Sequence, residues 1–296
     1  DNWTKYASNA GHPDLRAALV DKLRVRNGIA AGPDDVIVTN GGVSGIFSAL
    51  GSMVDPGDEV LIPDPSWPNY LQMTRLLGAT PVYYPLHESR GWRPDIGEIA
   101  ARITPKTKAI LLCSPHNPTG GVLTHDDIRA IAALAVEKNL WVLSDEAYED
   151  FQWDGTPLSI ASLPGMYERT IPLYTLSKTY AMTGVRVGYL AIKDATIRAR
   201  AHKLLLYTAT NVSSIAQYAA IGALEGGRAC IDGFRDELLA RRQLFFDGIA
   251  REARGVLSGA PAGGAFYAFL KIDPAWKSPI GVDQKSLSWA MTEYLI

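Results

Sequence analysis

The chain has 296 residues, 47% of them hydrophobic and 20% charged, with a formal net charge of -2. These are the proportions of a globular chain long enough to bury a large core, as one large domain or two. The balance gives no basic field for nucleic acid and no polybasic membrane anchor, and no apolar run approaches the roughly 18 residues of a membrane span.

The sequence opens Asp1-Asn2-Trp3 without a methionine and closes on Tyr294-Leu295-Ile296 inside an element, so both ends read as cut. A targeting segment can therefore lie outside it, and a cytoplasmic enzyme is the default expectation. Cys113 and Cys230 lie far apart without metal-ligand spacing, which predicts two reduced core or near-core residues and no metal site.

Lys5-Tyr6-Ala7-Ser8-Asn9-Ala10-Gly11 is a polar, turn-rich opening. Residues 14–27 then place Leu15, Ala18, Leu19, Leu23 and Val25 on one side of an amphipathic helix that Asn27-Gly28 ends. Residues 36–39 predict a short buried strand, Asn40-Gly41-Gly42-Val43-Ser44-Gly45 a glycine-rich turn, and residues 46–54 a helix. Strand, glycine turn and helix together aim backbone N–H groups at an anion, which is a weak signal alone. Residues 59–62 and 80–86 read as strands, separated by a loop over 63–70 that carries Trp67 and a helix that Gly78 closes. Asp95 caps a helix running to Ile103.

Residues 108–113 form the next buried strand, which runs into Ser114-Pro115-His116-Asn117-Pro118-Thr119-Gly120-Gly121. Two prolines and two glycines fix the backbone of that loop, which suits a site that must hold Asn117 still. A helix from Thr124 to Asn139 precedes a strand over 140–144 that ends at Asp145-Glu146-Ala147-Tyr148. A further buried strand, 170–174, leads into Thr175-Leu176-Ser177-Lys178-Thr179-Tyr180 and on to Arg186, before a strand over 187–192. Helices follow over 196–207, 212–224 and 228–254, and a last strand over 265–270.

Alternating strands and helices imply an α/β fold, a mostly parallel sheet sandwiched by helices. Ligands collect at the carboxyl ends of such strands, where every polar cluster named above falls. A boundary near Gly226-Gly227 divides the chain into residues 1–227 and a smaller α/β unit, 228–296, that starts with the long helix and is left unfinished.

Thr175, Ser177 and Arg186 offer two hydroxyls and a forked cation, a donor set for phosphate, next to the amine of Lys178. A phosphate beside an activatable amine points to pyridoxal phosphate held as a lysine Schiff base. Asp145 would keep the ring nitrogen protonated, Tyr148 and Asn117 would bond the ring's phenolate oxygen, and Trp67 would lie flat on the ring. Gly42, Val43 and Ser44 would complete the phosphate cradle.

The run Ser177-Lys178-x-x-x-Met182-Thr183-Gly184-x-Arg186 resembles the signature of the class I/II aminotransferases, the aspartate-aminotransferase-like enzymes. Pro56-Gly57-Asp58-Glu59-Val60, Ser114 to Gly120, and Ser144-Asp145-Glu146-x-Tyr148 carry the same resemblance, which spans about residues 5–270. It implies fold type I, a homodimer with a shared active site, and ping-pong transfer of an amino group between an amino acid and a 2-oxo acid. It also implies that Tyr6 reaches the phosphate of the neighbouring subunit, and that the Asn117-Pro118 bond is cis.

Val185 stands where the family commonly has tryptophan, His116 where it has asparagine, and Val43 where some acidic-substrate relatives have lysine. The family's arginine for the substrate carboxylate would follow Ile296, so this chain alone is expected to turn over poorly. A small or medium amino acid is the expected donor. A carbon–sulfur β-lyase of the same fold shares nearly every cofactor residue, and a cofactor-binding regulatory module is a third reading.

Overall fold

A computed structural model describes residues 3–279 and 286–296. Its principal sheet consists of β1 (Val36–Thr39), β2 (Glu59–Asp64), β3 (Thr80–His87), β4 (Arg93–Pro94), β5 (Thr107–Cys113), β6 (Trp141–Asp145), β7 (Thr170–Thr175) and β8 (Gly188–Ala191). Their spatial order is β1-β8-β7-β6-β5-β2-β3-β4. Strands β3, β2, β5, β6 and β7 pair in parallel, whereas β8 is antiparallel to both its neighbours and β4 to β3. The central strands are near-continuous aliphatic runs because both faces of the sheet are covered.

Helices α1 (Pro13–Asn27), α2 (Gly41–Met53), α3 (Pro68–Leu76), α4 (Ile96–Ala100), α5 (His125–Glu137), α6 (Leu176–Thr179), α7 (Ala195–Ala209) and α8 (Ser214–Glu225) supply that cover. Strand alternation sorts the core into layers. Ile37, Leu111, Leu143 and Ile171 face Ile46, Leu50, Tyr70, Ile197 and Leu205, so α2, α3 and α7 lie on one face. Val36 and Val38 face α1 and α8 on the other, and Ile110, Leu112 and Val142 face α5 there.

Local signals place most ends. Gly28 closes α1 in the left-handed conformation, Asp95 accepts from the amides of Gly97 and Glu98, and Thr124 and Asp127 form a reciprocal cap on α5.

The structure departs from the sequence reading in several places. In α1, Val25 is exposed and Val20 is buried in its place, because the buried stripe rotates toward Leu19 and Leu23. The glycine run is not a turn: α2 begins at Gly41, five residues before Ile46. Cys113 is buried as expected, but Cys230 is exposed on a solvent-facing turn of the long helix α9 (Ala229–Glu252).

Residues 265–270 do not form a strand. The Ala265 amide instead donates to Phe151 O at 2.7 Å and the Gly264 amide to Gly120 O at 2.9 Å, so the segment is held by loops at the sheet's edge. The antiparallel pair β9 (Leu257–Ser258) and β10 (Lys271–Ile272) forms on either side of it, and α10 (Leu287–Leu295) follows. Among the described residues, no helix is long and apolar enough to cross a membrane.

Candidate active site

The carboxyl ends of β1, β2, β5, β6 and β7 open on one side of the sheet, and the segments that leave them share a pocket of about 270 Å³. Gly42, Val43, Trp67, Asn117, Asp145, Tyr148, Thr175, Ser177, Lys178 and Arg186 all line it. Ten of the twelve candidates from the sequence are thus brought together. Ser44 lies on the first turn of α2 without lining the pocket, and Tyr6 stands away from it, 87% exposed.

Lys178 is presented by α6, a single turn that follows β7 directly. Thr175 caps the turn: its Oγ1 accepts from the Ser177 amide at 3.2 Å and donates to Ser177 Oγ at 3.0 Å. Lys178 Nζ projects past the rings of Tyr148 and Phe266, 5.8 and 5.7 Å from their centroids. Among the described residues it has no carboxylate in ion-pair contact.

Asp145 lies across the pocket floor. Its Oδ2 accepts from Tyr70 Oη at 2.7 Å and its Oδ1 from the Ala147 amide at 3.1 Å. Burial raises its pKa above the usual carboxylate range; the two hydrogen bonds and the charge of Lys178 offset only part of that. A buried carboxylate in this state gains from a cation placed against it.

Asp145 and its neighbour Glu146 point to opposite faces, as successive strand residues must. Glu146 accepts from Ser144, Ser159 and Tyr174 at 2.9, 2.6 and 2.7 Å, and burial carries its pKa to about 7. The sequence alone does not separate the roles of the two.

The opposite end of the pocket suits an anion. Asn40 precedes α2 without capping it through its side chain, which leaves the first-turn amides to an external acceptor. Gly41 has φ +74°, and a methyl group there would meet the Arg186 guanidinium at 2.3 Å. Gly188 on β8 passes so close that a methyl would stand 2.9 Å from Gly41 C and 3.0 Å from Gly42 N. Glycine is required at both positions because the backbone of α2 lies against β8 and the arginine. Arg186, itself at φ 62°, is steadied by donating to Thr183 O at 2.8 Å.

Asn117 comes from the Ser114 to Gly121 loop, in which the Asn117-Pro118 bond is cis as expected, and Ser114-Pro115 is cis as well. His116 faces away from the pocket and bonds Thr119 Oγ1 through Nδ1 at 2.8 Å. Burial pushes its pKa down to about 4, so it stays neutral.

Among the lining residues outside the sequence candidates are two tyrosines, Tyr70 and Tyr267. Tyr70 was assigned to a loop, but Pro68 starts α3 and turns Tyr70 inward, edge-on to Trp67 with ring centroids 5.5 Å apart. Pro68 at the first helical position, two residues before Tyr70, was the available signal. Tyr267 comes from the segment expected to be a strand, and its hydroxyl is hydrogen-bonded to that of Tyr148. No local pattern announces that contact across 119 positions.

This fold and this pocket define a fold type I enzyme of the pyridoxal-phosphate kind. The family profile described as "Aminotransferase class I and II" matches residues 1–295. The chain is 37% identical over 274 residues to a probable aspartate/prephenate aminotransferase of Thermus aquaticus, covering 92% of this chain and 70% of that protein. It is 39% identical over 273 residues to aromatic-amino-acid aminotransferase 2 of Thermococcus litoralis, covering 91% and 69%. The solved aromatic aminotransferase of Pyrococcus horikoshii superposes with a TM-score of 0.85 at 38% identity, over 89% of this chain and 71% of that one.

The chain therefore belongs to the class I and II aminotransferases, enzymes that work with pyridoxal phosphate. These relatives are named as aminotransferases, and nothing in them favours the lyase reading.

The residues present fit the cofactor. It is anionic at its phosphate and takes a proton at its ring nitrogen, and the pocket offers helix amides, hydroxyls and Arg186 at one end and buried Asp145 at the other.

Proposed function

We propose that Lys178, Asp145, Asn117, Tyr148, Trp67, Thr175, Ser177 and Arg186, with the Gly42 to Ser44 turn of α2, are the working parts of this aminotransferase. The convergence of an unpaired lysine, a buried carboxylate and an anion cradle in one pocket carries the reading.

When bound, pyridoxal phosphate supplies an aldehyde that condenses with amines and a ring that draws electrons from the substrate α-carbon. Arg186, Thr175, Ser177 and the α2 amides anchor the phosphate end. Asp145 holds a proton at the ring nitrogen, and Tyr70 and the Ala147 amide hold Asp145 in place. Asn117 and Tyr148 donate to the ring oxygen, while Trp67 fixes the ring's tilt. Lys178 Nζ takes a proton from the substrate α-carbon and returns one to the other side of the transferred nitrogen, since α6 presents it to the pocket free of any ion pair among the described residues. Amino acid and 2-oxo acid alternate in the pocket in a ping-pong cycle.

The sequence suggested a small or medium donor. The rings of Trp67, Tyr148, Phe266 and Tyr267 and the apolar Val43 shift that proposal to an aromatic or large apolar amino acid. Among the described residues, Lys178 and Arg186 are the only cations lining the pocket, and neither is left to a side-chain carboxylate. The naming of the Thermococcus relative supports this choice, and that of the Thermus relative supports an acidic donor instead. With the cofactor-loaded enzyme, kcat/KM for phenylalanine or tyrosine should exceed that for aspartate by about tenfold or more. A preference for aspartate overturns the assignment.

We further propose a cytoplasmic homodimer, with Tyr6 completing the partner's phosphate site. Two free cysteines suit a reducing compartment. The exposed rings of Tyr6, Tyr207 and Tyr218, with Ile215, suit a covered face. Sedimentation should give twice the chain mass, falling toward one chain for Tyr218→Glu; a monomer at micromolar concentration contradicts it. Residues 228–296 are taken as the beginning of a second domain led by α9.

A further inference from the structure

Lys178 is carried by α6, whose four residues form a single turn. One turn fixes many backbone dihedrals for very few hydrogen bonds, so contacts from outside must hold it. Thr175 does so at the N-terminal end. At the other end, Thr179 Oγ1 donates to Asp150 Oδ2 at 2.9 Å, with both residues buried.

Asp150 belongs to the short 3-10 segment Glu149–Phe151 that follows Tyr148. Its Oδ1 accepts from Arg228 Nη1 at 3.0 Å and from Arg26 on α1. Arg228 is the residue from which α9 starts. Two turns further on, Arg235 donates to the main-chain oxygens of Asp150 and Gln152, the latter at 3.1 Å.

Asp150 is therefore the point where the Lys178 turn, α1 and α9 meet. Burial works against its negative charge, but Arg26, Arg228, Thr179 and Lys22 outweigh it and keep the carboxyl ionised. The bond from Thr179 is accordingly charge-assisted and directional. Leu238 of α9 packs against Tyr148 and Phe151 beside this junction, while Arg26, Asp150, Arg228 and Arg235 line a cavity of about 370 Å³ separate from the Lys178 pocket, so the polar tie carries the link on that side.

We propose that Asp150 is a positioning residue that ties the Lys178 turn to the start of α9, so that the placement of Lys178 Nζ and the orientation of α9 are coupled. The proposal rests on the reading of Lys178 as the reacting amine.

Thr179→Val tests it with the β-branched shape kept, because a methyl group replaces the hydroxyl while Asp150 retains Arg26 and Arg228. In the cofactor-free protein, amide exchange over residues 176–181 should quicken about tenfold. In the loaded protein, the pH midpoint of the cofactor absorbance should move by about half a unit. The same variant should lose about tenfold in kcat with KM changed less than about threefold, since Thr179 does not line the pocket.

Arg228→Ala leaves Asp150 paired with Arg26 and should show a smaller loss of the same kind. Combined with Thr179→Val, it should add nothing further to the loss in kcat, because the tie is already cut. Arg241→Ala, which removes an exposed pair with Glu237 on α9, should change none of these readouts.

Borohydride reduction of the loaded wild-type enzyme, followed by peptide mapping, separates the two levels of the argument. An adduct on Lys178, with Thr179→Val indistinguishable from wild type or the two substitutions fully additive, overturns the tie alone. An adduct on another lysine overturns the underlying assignment as well.

Discussion

Lys178→Ala loses at least about 10⁴-fold in kcat, equivalent to about 5.5 kcal/mol of transition-state stabilisation, while the folded state survives. The loss is large because one amine serves both as the cofactor's attachment and as the proton carrier, and no neighbouring base stands in. Lys178 Nζ lies among the rings of Tyr148 and Phe266 rather than in an ion pair, and buried Asp145, which loses the charge of Lys178, keeps its bonds from Tyr70 Oη and the Ala147 amide. The melting temperature of the cofactor-free protein should move by no more than a few degrees, roughly the effect of 1 kcal/mol. Lys203→Ala, on the exposed side of α7, should retain full turnover. Comparable losses in the two variants would mean that the site has been misplaced.

Asp145→Asn loses about 10²- to 10⁴-fold in kcat, because a neutral amide cannot hold a proton at the ring nitrogen. The asparagine is nearly isosteric and its carbonyl can still accept from Tyr70 Oη, so the cost should fall on catalysis more than on folding. A second signature follows from the electrostatics. Burial makes the Asp145 anion unfavourable in the cofactor-free protein, and a protonated ring nitrogen relieves it. Cofactor affinity should therefore fall in the variant by about tenfold or more. Glu146→Gln is the informative comparison. Glu146 sits one residue away and is equally buried, but it bonds Ser144, Ser159 and Tyr174 on the opposite face, so its substitution should cost less than about tenfold in kcat. Equal sensitivity at the two positions would contradict the assignment of Asp145.

These expectations show where the sequence was readable. Each buried strand of the sheet's centre announced itself as an aliphatic run, and each polar cluster lay at a strand's carboxyl end, so Asn117, Asp145, Thr175 and Lys178 could be placed on one edge before any coordinates. The pleat then decided what spacing could not: Asp145 faces the pocket and Glu146 the rear.

Glycine was the main source of error. The run from Gly41 to Gly45 reads as a turn because glycine weakens helices by about 1 kcal/mol per residue. The helix forms there because the backbone must pass close to Gly188 and Arg186, a tertiary demand that local propensity does not express. Tyr267 was hidden for a similar reason. Its segment looks like a strand, but backbone bonds from Gly264 and Ala265 to distant loops fix it as a turn and bring its hydroxyl to Tyr148.

Tyr70 illustrates a third kind of omission. Its fully buried ring and its bond to Asp145 depend on α3 beginning at Pro68, three residues earlier than a loop over 63–70 allows. The Thr179–Asp150 bond is of this type too, since it joins a catalytic turn to a short segment that no periodic pattern reveals.

The most direct test of the central claim is a half-reaction. The cofactor-loaded enzyme, mixed with an excess of one amino acid donor and no oxo acid, should release one equivalent of the matching 2-oxo acid per site and then stop. The amino group stays on the enzyme until an acceptor removes it, so adding a second 2-oxo acid should restart turnover and yield its amino acid. Continuous release of ammonia with a 2-oxo acid, beyond one equivalent and without any acceptor, would contradict the account.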